Sequence, residues 1–166
     1  MSFSSSVTMV TGGTGQLGRV VVRRFAEAGS QVVVPYRTPG KWEELQAELG
    51  PLASRVDGLH ADLIDEATVQ RAVAQALARH GRIDHFLCLA GGFAGGRFLE
   101  TGIDLWEQML ALNLRPTLLA LHAVLPHLVE RGSGRVVTVG ARQAVEPSAG
   151  APAYAASKAA VIVLTQ

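Results

Sequence analysis

The chain has little of what would tie it to another class of macromolecule or lock it covalently. Cys88 is the only cysteine among 166 residues, so no intrachain disulfide can form. It lies in the apolar run "HFLCLAGG", the setting of a packed and inert thiol. Charged residues make up only 17% of the chain, and the formal net charge is +1. The longest basic run is Arg23-Arg24, which fits a solvated helix face. There is thus no electrostatic case for nucleic acid or an anionic membrane as partner, and no metal site is expected. No uninterrupted apolar run reaches the ~18 residues read as a membrane span. "MSFSSSVTMVTGG" lacks the basic-then-apolar order of a signal peptide, so a soluble, cytoplasmic protein is expected by elimination.

Apolar residues are plentiful at 48%, and the length suits one domain with a sizeable core. Short β-branched runs at 7–10, 31–34, 55–60, 84–90 and 135–139 are continuously apolar, as parallel strands covered on both faces should be. Between them, Leu17, Val20, Val21, Phe25 and Ala28 form one helical stripe, and Val69, Ala72, Val73, Ala76 and Leu77 another. A shorter helix carries Trp42, Leu45 and Leu49. A long helical segment from about 103 to 131 is expected to be kinked or divided by Pro116 and Pro126. Strand and helix alternate over short links, which predicts an α/β fold with a doubly wound parallel sheet spanning 1–166 as a single domain.

"TMVTGGTGQLGRVVVRRF" places Gly12, Gly15 and Gly18 between the first strand and the first helix. In a dinucleotide-binding turn, the first glycine allows the bend and the second lets backbone approach a pyrophosphate. The third lets helix and strand pack closely. The helix amino end then faces the anion. A merely structural turn is the alternative. An acidic residue about 20 positions on would bind the adenosine ribose and favour NAD. Here the second strand ends "VVVPYRT", and Arg37 stands where a cation could meet a 2′-phosphate, which leans toward NADP. Asp62, in "HADLID", is a candidate acceptor for the adenine amino group; a loop or capping carboxylate is the equal alternative.

The ordered set "TGGTGQLG" (11–18), "GRIDHFLCLAGG" (81–92), "WEQMLALNLRPTLL" (106–119) and "YAASK" (154–158) resembles the short-chain dehydrogenases/reductases. The resemblance implies a Rossmann-type sheet, a nicotinamide cofactor, NAD(P), and a small-molecule substrate. It implies Tyr154 as general acid/base, with Lys158 one helical turn on, and Asn113 holding a water that relays protons to the lysine. Lys158 is one of only two lysines among fifteen basic residues. Gln16, Leu17, Leu63, Ala90 and Gly91 fall at cofactor-contacting positions by the same resemblance. A homodimer or homotetramer is implied through the helices near 103–131 and 151–166.

Three departures stand out. Gln16 occupies a position where the family usually has glycine, and Leu89-Ala90-Gly91 replaces the usual Asn-Ala-Gly. The serine expected thirteen residues before the tyrosine is Ala141, preceded by Gly140. Losing that donor should cost on the order of 3 kcal/mol of barrier for ketone chemistry. Thr138, Arg142, Gln143 and Ser148 are nearby donors, with Gln143 the first candidate. The segment "VTVGARQAVEPSAGAPAYAASKAAV" is also similar to the dihydropteridine reductase branch, in which hydride goes to a quinonoid ring and needs no serine donor. A cofactor-binding sensor or assembly protein is a further alternative. Family members generally add two strands and a substrate-covering loop after the tyrosine helix, so the chain is expected to be truncated, and substrate identity stays open.

Overall fold

The computed structural model describes residues 3–146 and 149–166. Five strands form one sheet: Val7–Thr11 (β1), Gln31–Tyr36 (β2), Val56–His60 (β3), His85–Cys88 (β4) and Arg135–Thr138 (β5). All pair in parallel in the order β3-β2-β1-β4-β5. Each expected strand is present, and the fourth is shortened at both ends to four residues. The order reverses between β1 and β4, and ligands of such sheets bind in the crevice beyond the carboxyl ends at that point.

Alternation along the strands divides the core into two layers, because successive side chains leave a strand on opposite faces. Met9, Val33, Phe86 and Cys88 pack with Val69, Ala72, Val73 and Ala76 of α3 (Glu66–His80) and with Ala120, Leu121, Val124 and Leu128 of α5 (Arg115–Glu130). Val10, Val32, Val34 and Leu87 pack on the other face with Val22 and Ala26 of α1 (Gln16–Glu27) and Leu45 and Leu49 of α2 (Pro39–Leu49). Both faces of β1, β2 and β4 are covered, which explains their unbroken apolar runs. The edge strand β5 departs from that expectation, with no buried residue and Val137 48% exposed. Cys88 is buried here, and burial pushes its thiol pKa up to about 12, so it is inert.

The long segment divides into α4 (Ile103–Asn113) and α5 at Leu114. Pro116 sits in the first turn of α5, where its missing N–H has no helical partner to lose. Pro126 lies inside α5 without ending it, so the segment expected to be kinked or divided is divided only near Pro116. The stretch Ile103–Glu130 is long and apolar enough to cross a membrane by length and composition alone. Within it, Ala120, Leu121, Val124 and Leu128 of α5 pack in the core layer with the sheet and α3. Arg142–Val145 (α6) and Pro152–Leu164 (α7) follow β5, which lies at the sheet edge.

Asp84 ties three elements together at the amino end of β4. Its Oδ2 accepts from the Val7 N–H at 2.9 Å, and its Oδ1 accepts from Arg82 Nε at 2.9 Å and Arg131 Nη1 at 3.2 Å. Burial alone would raise the Asp84 pKa, but the bonds from Arg82, the Val7 N–H and Arg131 outweigh it and hold the carboxyl below its ordinary range. A depressed folded-state pKa adds stability that is present above the unfolded value near pH 4 and lost as pH falls through the folded value. Asp84→Asn is therefore expected to lower unfolding free energy at pH 7 by about 1 kcal/mol, as partly solvated charge-assisted bonds do. Urea titrations should show that difference shrinking as pH drops below 4.

Candidate active site

Between β1 and α1 the chain makes a turn that only glycine can make. Gly12 has φ +70°, and a Cβ there would stand 2.7 Å from the Ala90 backbone nitrogen. At Gly18 a Cβ would fall 2.0 Å from the Gly12 carbonyl oxygen. The turn thus presses against the β4 exit on one side and against its own helix on the other. Gly15 is the N-cap of α1 and supplies no side-chain hydrogen bond to the first turn. The opening N–H groups of α1 are left for a ligand, the condition for holding a diphosphate.

A groove of about 280 Å³ runs from this turn across the carboxyl ends of the strands. Gly12, Gly15, Arg37, Asp62, Leu63, Ala90 and Gly91 all line it. Gln16 and Leu17 are exposed at the start of α1 and lie outside the groove wall, while Gly18 packs beneath it. Arg37 Nη1 lies 4.0 Å from Asp62 Oδ1, so the two candidates for the adenosine end face each other. Asp62 Oδ1 also accepts from the Ile64 N–H at 3.3 Å, and its carbonyl accepts from Thr68 Oγ1 at 2.6 Å. Its loop role is therefore present, whatever its part in binding.

At the other end, Gly91 is the point where Asn113 and Lys158 converge. A Cβ on Gly91 would stand 2.6 Å from Asn113 Oδ1 and 3.4 Å from Lys158 Nζ. Asn113 is fully buried, and its Oδ1 accepts from the Gly92 N–H at 3.0 Å. Lys158, also buried, donates from Nζ to the Val139 carbonyl at 2.9 Å. Burial lowers the Lys158 pKa, because desolvation disfavours the charged form. Tyr154 stands one turn earlier on α7, its ring nearly perpendicular to that of Phe93 with centroids 5.0 Å apart.

Around the missing serine, Ala141 is the N-cap of α6. Thr138 is engaged elsewhere, its hydroxyl 2.9 Å from Thr165 Oγ1. Arg142 points to solvent beside Glu146. Gln143 is half-buried on α6, and Ser148 lies outside the described residues. Several groove residues were not picked out from the sequence: Thr14, Tyr36, Lys41, Leu112 and Pro116. Lys41 had a signal, since it is the only lysine besides Lys158 and follows Arg37 by four residues.

Gly91→Ala must displace Asn113 and break its bond to Gly92, leaving a buried polar group unsatisfied. It is expected to reduce stability by about 1–3 kcal/mol in chemical denaturation. Gly40→Ala, at an α2 site where a Cβ meets nothing within 4 Å, is the control expected to show no loss.

Comparison with known proteins agrees with this geometry. The family model described as short chain dehydrogenase matches residues 6–166. The 2,5-dichloro-2,5-cyclohexadiene-1,4-diol dehydrogenase LinX of Sphingobium indicum is 29% identical over 98% of this chain and 65% of its own length. The (2S)-[(R)-hydroxy(phenyl)methyl]succinyl-CoA dehydrogenase subunit BbsD of Thauera aromatica is 31% identical over 100% of this chain and 66% of its own. A short-chain type dehydrogenase/reductase from Mycobacterium ulcerans superposes with a TM-score of 0.92 at 27% identity, covering 99% of this chain and 61% of that one. A short chain dehydrogenase from Bacillus anthracis gives 0.90 at 26% identity, covering 97% and 67%. The chain thus spans about 65% of the length of such curated relatives. Family members generally use NAD(P). With a match over nearly all its residues and a glycine turn, groove and lysine-bearing helix in order, the chain belongs to the short-chain dehydrogenase family.

Proposed function

We propose that the protein is an NAD(P)-dependent oxidoreductase acting on a small carbonyl/alcohol pair, with Tyr154 as the acid/base. The observation that carries this reading is the convergence of Lys158 Nζ and Asn113 Oδ1 on Gly91, in the wall of the groove that begins at Gly12 and Gly15. The residues fit a dinucleotide. The uncapped first turn of α1 offers N–H donors to a diphosphate, and Gly12 and Gly91 leave backbone surfaces that a Cβ would fill. The nicotinamide, when bound, donates or accepts the hydride. Tyr154 gives a proton to the substrate oxygen in reduction and takes it back in oxidation. Lys158, a buried cation on the same helix face, stabilises the tyrosinate left behind. Asn113 holds the Gly91–Gly92 segment in place and offers its remaining Oδ1 lone pair toward the lysine or a relaying water. Two relatives are by name dehydrogenases of hydroxyl-bearing compounds, which supports this substrate class.

NADP is the preferred cofactor in this reading. Arg37 and Lys41 both line the far end of the groove and can share a 2′-phosphate. Exposed Leu110, Leu118, Leu125 and Val129 on α4 and α5 support assembly into a homodimer or homotetramer. Ala141 favours a second reading, reduction of a quinonoid dihydropterin-type ring, in which no substrate oxygen needs a serine donor.

Tyr154→Phe is expected to cut turnover by about three decades, in line with general acid/base effects. Unchanged turnover in a cofactor-oxidation assay would refute the role. In parallel titrations, Arg37→Ala and Lys41→Ala should each weaken NADPH binding about tenfold, the worth of a charge-assisted bond, and leave NADH binding unchanged. Equal losses for both cofactors would exclude the NADP preference. Ala141→Ser is expected to raise ketone reduction by about two decades by restoring an oxyanion donor. Activity with a quinonoid dihydropterin that exceeds all carbonyl activity would select the second reading instead.

A further inference from the structure

One fully buried polar side chain near the site has so far no part in the proposed chemistry. Ser157 lies between Tyr154 and Lys158 on α7 with 0% exposure. Its Oγ donates to the Tyr154 carbonyl at 2.7 Å. A hydroxyl carries a single proton, so toward Asn113 Nδ2, 3.1 Å away, Ser157 can only accept. The Asn113 amide must therefore turn its NH2 to Ser157. That leaves Oδ1 for the Gly92 N–H at 3.0 Å, the one arrangement in which every donor meets an acceptor. The other Nδ2 neighbour is Met109 Sδ at 3.9 Å, a weak acceptor unable to replace an oxygen.

We propose that Ser157 is a positioning residue that fixes which way the Asn113 carboxamide faces, and through it the spacing between the Gly91–Gly92 segment and the helix carrying Tyr154 and Lys158. The chain of bonds runs from Gly92 N–H to Asn113, from Asn113 to Ser157, and from Ser157 to the Tyr154 backbone. It joins the β4 exit, α4 and α7 at the point where Lys158 meets Gly91. A purely structural serine would behave differently. Alanine is the better helix former, and a helical carbonyl such as that of Tyr154 has its i+4 N–H partner without the hydroxyl. The loss in Ser157→Ala therefore falls on the orphaned Asn113 Nδ2 and not on the helix.

The assignment deepens the oxidoreductase reading and rests on it only for the effect on turnover, so the test has two arms. In 15N-labelled full chain, the Asn113 carboxamide protons should exchange with solvent about tenfold faster in Ser157→Ala than in the parent, because a protecting bond is gone. Ser157→Cys, with a weakly accepting sulfur of similar size, should fall between them. Unchanged exchange in both variants overturns the proposal, with or without turnover. In the second arm, Ser157→Ala should lower kcat about tenfold, and Asn113→Ala/Ser157→Ala should be no worse than Asn113→Ala alone. Losses that multiply in the double variant overturn it, since the serine would then act by another route. A parent protein without turnover counts against the oxidoreductase reading, and the exchange arm alone then decides the role of Ser157.

Discussion

Everything near the candidate site depends on how closely the first βα turn is pressed into the switch point of the sheet. Gly12 abuts the Leu89–Ala90 backbone and Gly18 abuts the Gly12 carbonyl, at separations no side chain would allow. That packing brings the amino end of α1 over the sheet and sets the β4 exit beside it, so the two walls of the groove are one backbone contact apart. Because the contact is backbone to backbone, it cannot relax by a change of rotamer. A methyl group at Gly12 or Gly18 would clash with backbone and push on the start of α1. The turn is thus a packing constraint in its own right.

The second wall is set by polar groups withdrawn from water. Asn113, Ser157 and Lys158 are all buried, and each is held by a partner from another element or from its own helix. Burying such groups is costly unless their bonds are made, so each arrangement is close to unique. Lys158 is the clearest case. Desolvation depresses its pKa, yet the Val139 carbonyl accepts a hydrogen bond from Nζ and orients it at the edge of Gly91. A carbonyl one residue beyond β5 therefore helps to aim a side chain on α7. At the opposite end of the sheet, Asp84 gathers bonds from β1, Arg82 and Arg131 and keeps the amino ends of β1 and β4 in register.

The end of the groove at Arg37 and Asp62 is less committed. Arg37 and Asp62 are exposed or half-exposed and meet at 4.0 Å, an ion pair of small worth in water. A bound phosphate could draw the arginine away at little cost. Lys41 lies close enough to line the same groove. The geometry of this end is therefore open to a ligand, in contrast to the buried polar cluster behind Gly91.

The sequence alone determined the parallel sheet, its five strands, the two helical layers and the glycine turn, because those follow from local periodicity and from what glycine uniquely permits. It also marked Tyr154 and Lys158, whose spacing places them on one helix face. It could not show that Pro126 is carried inside α5, nor that Thr138 is occupied by Thr165. Both depend on neighbours distant along the chain. Nor could it show Lys41 in the groove wall or Ser157 against Asn113, 44 positions away. Periodicity reports which face of an element is buried. Which buried polar atom meets which is decided only when three elements close on one another, since a hydrogen bond requires a distance and a direction that no single segment contains.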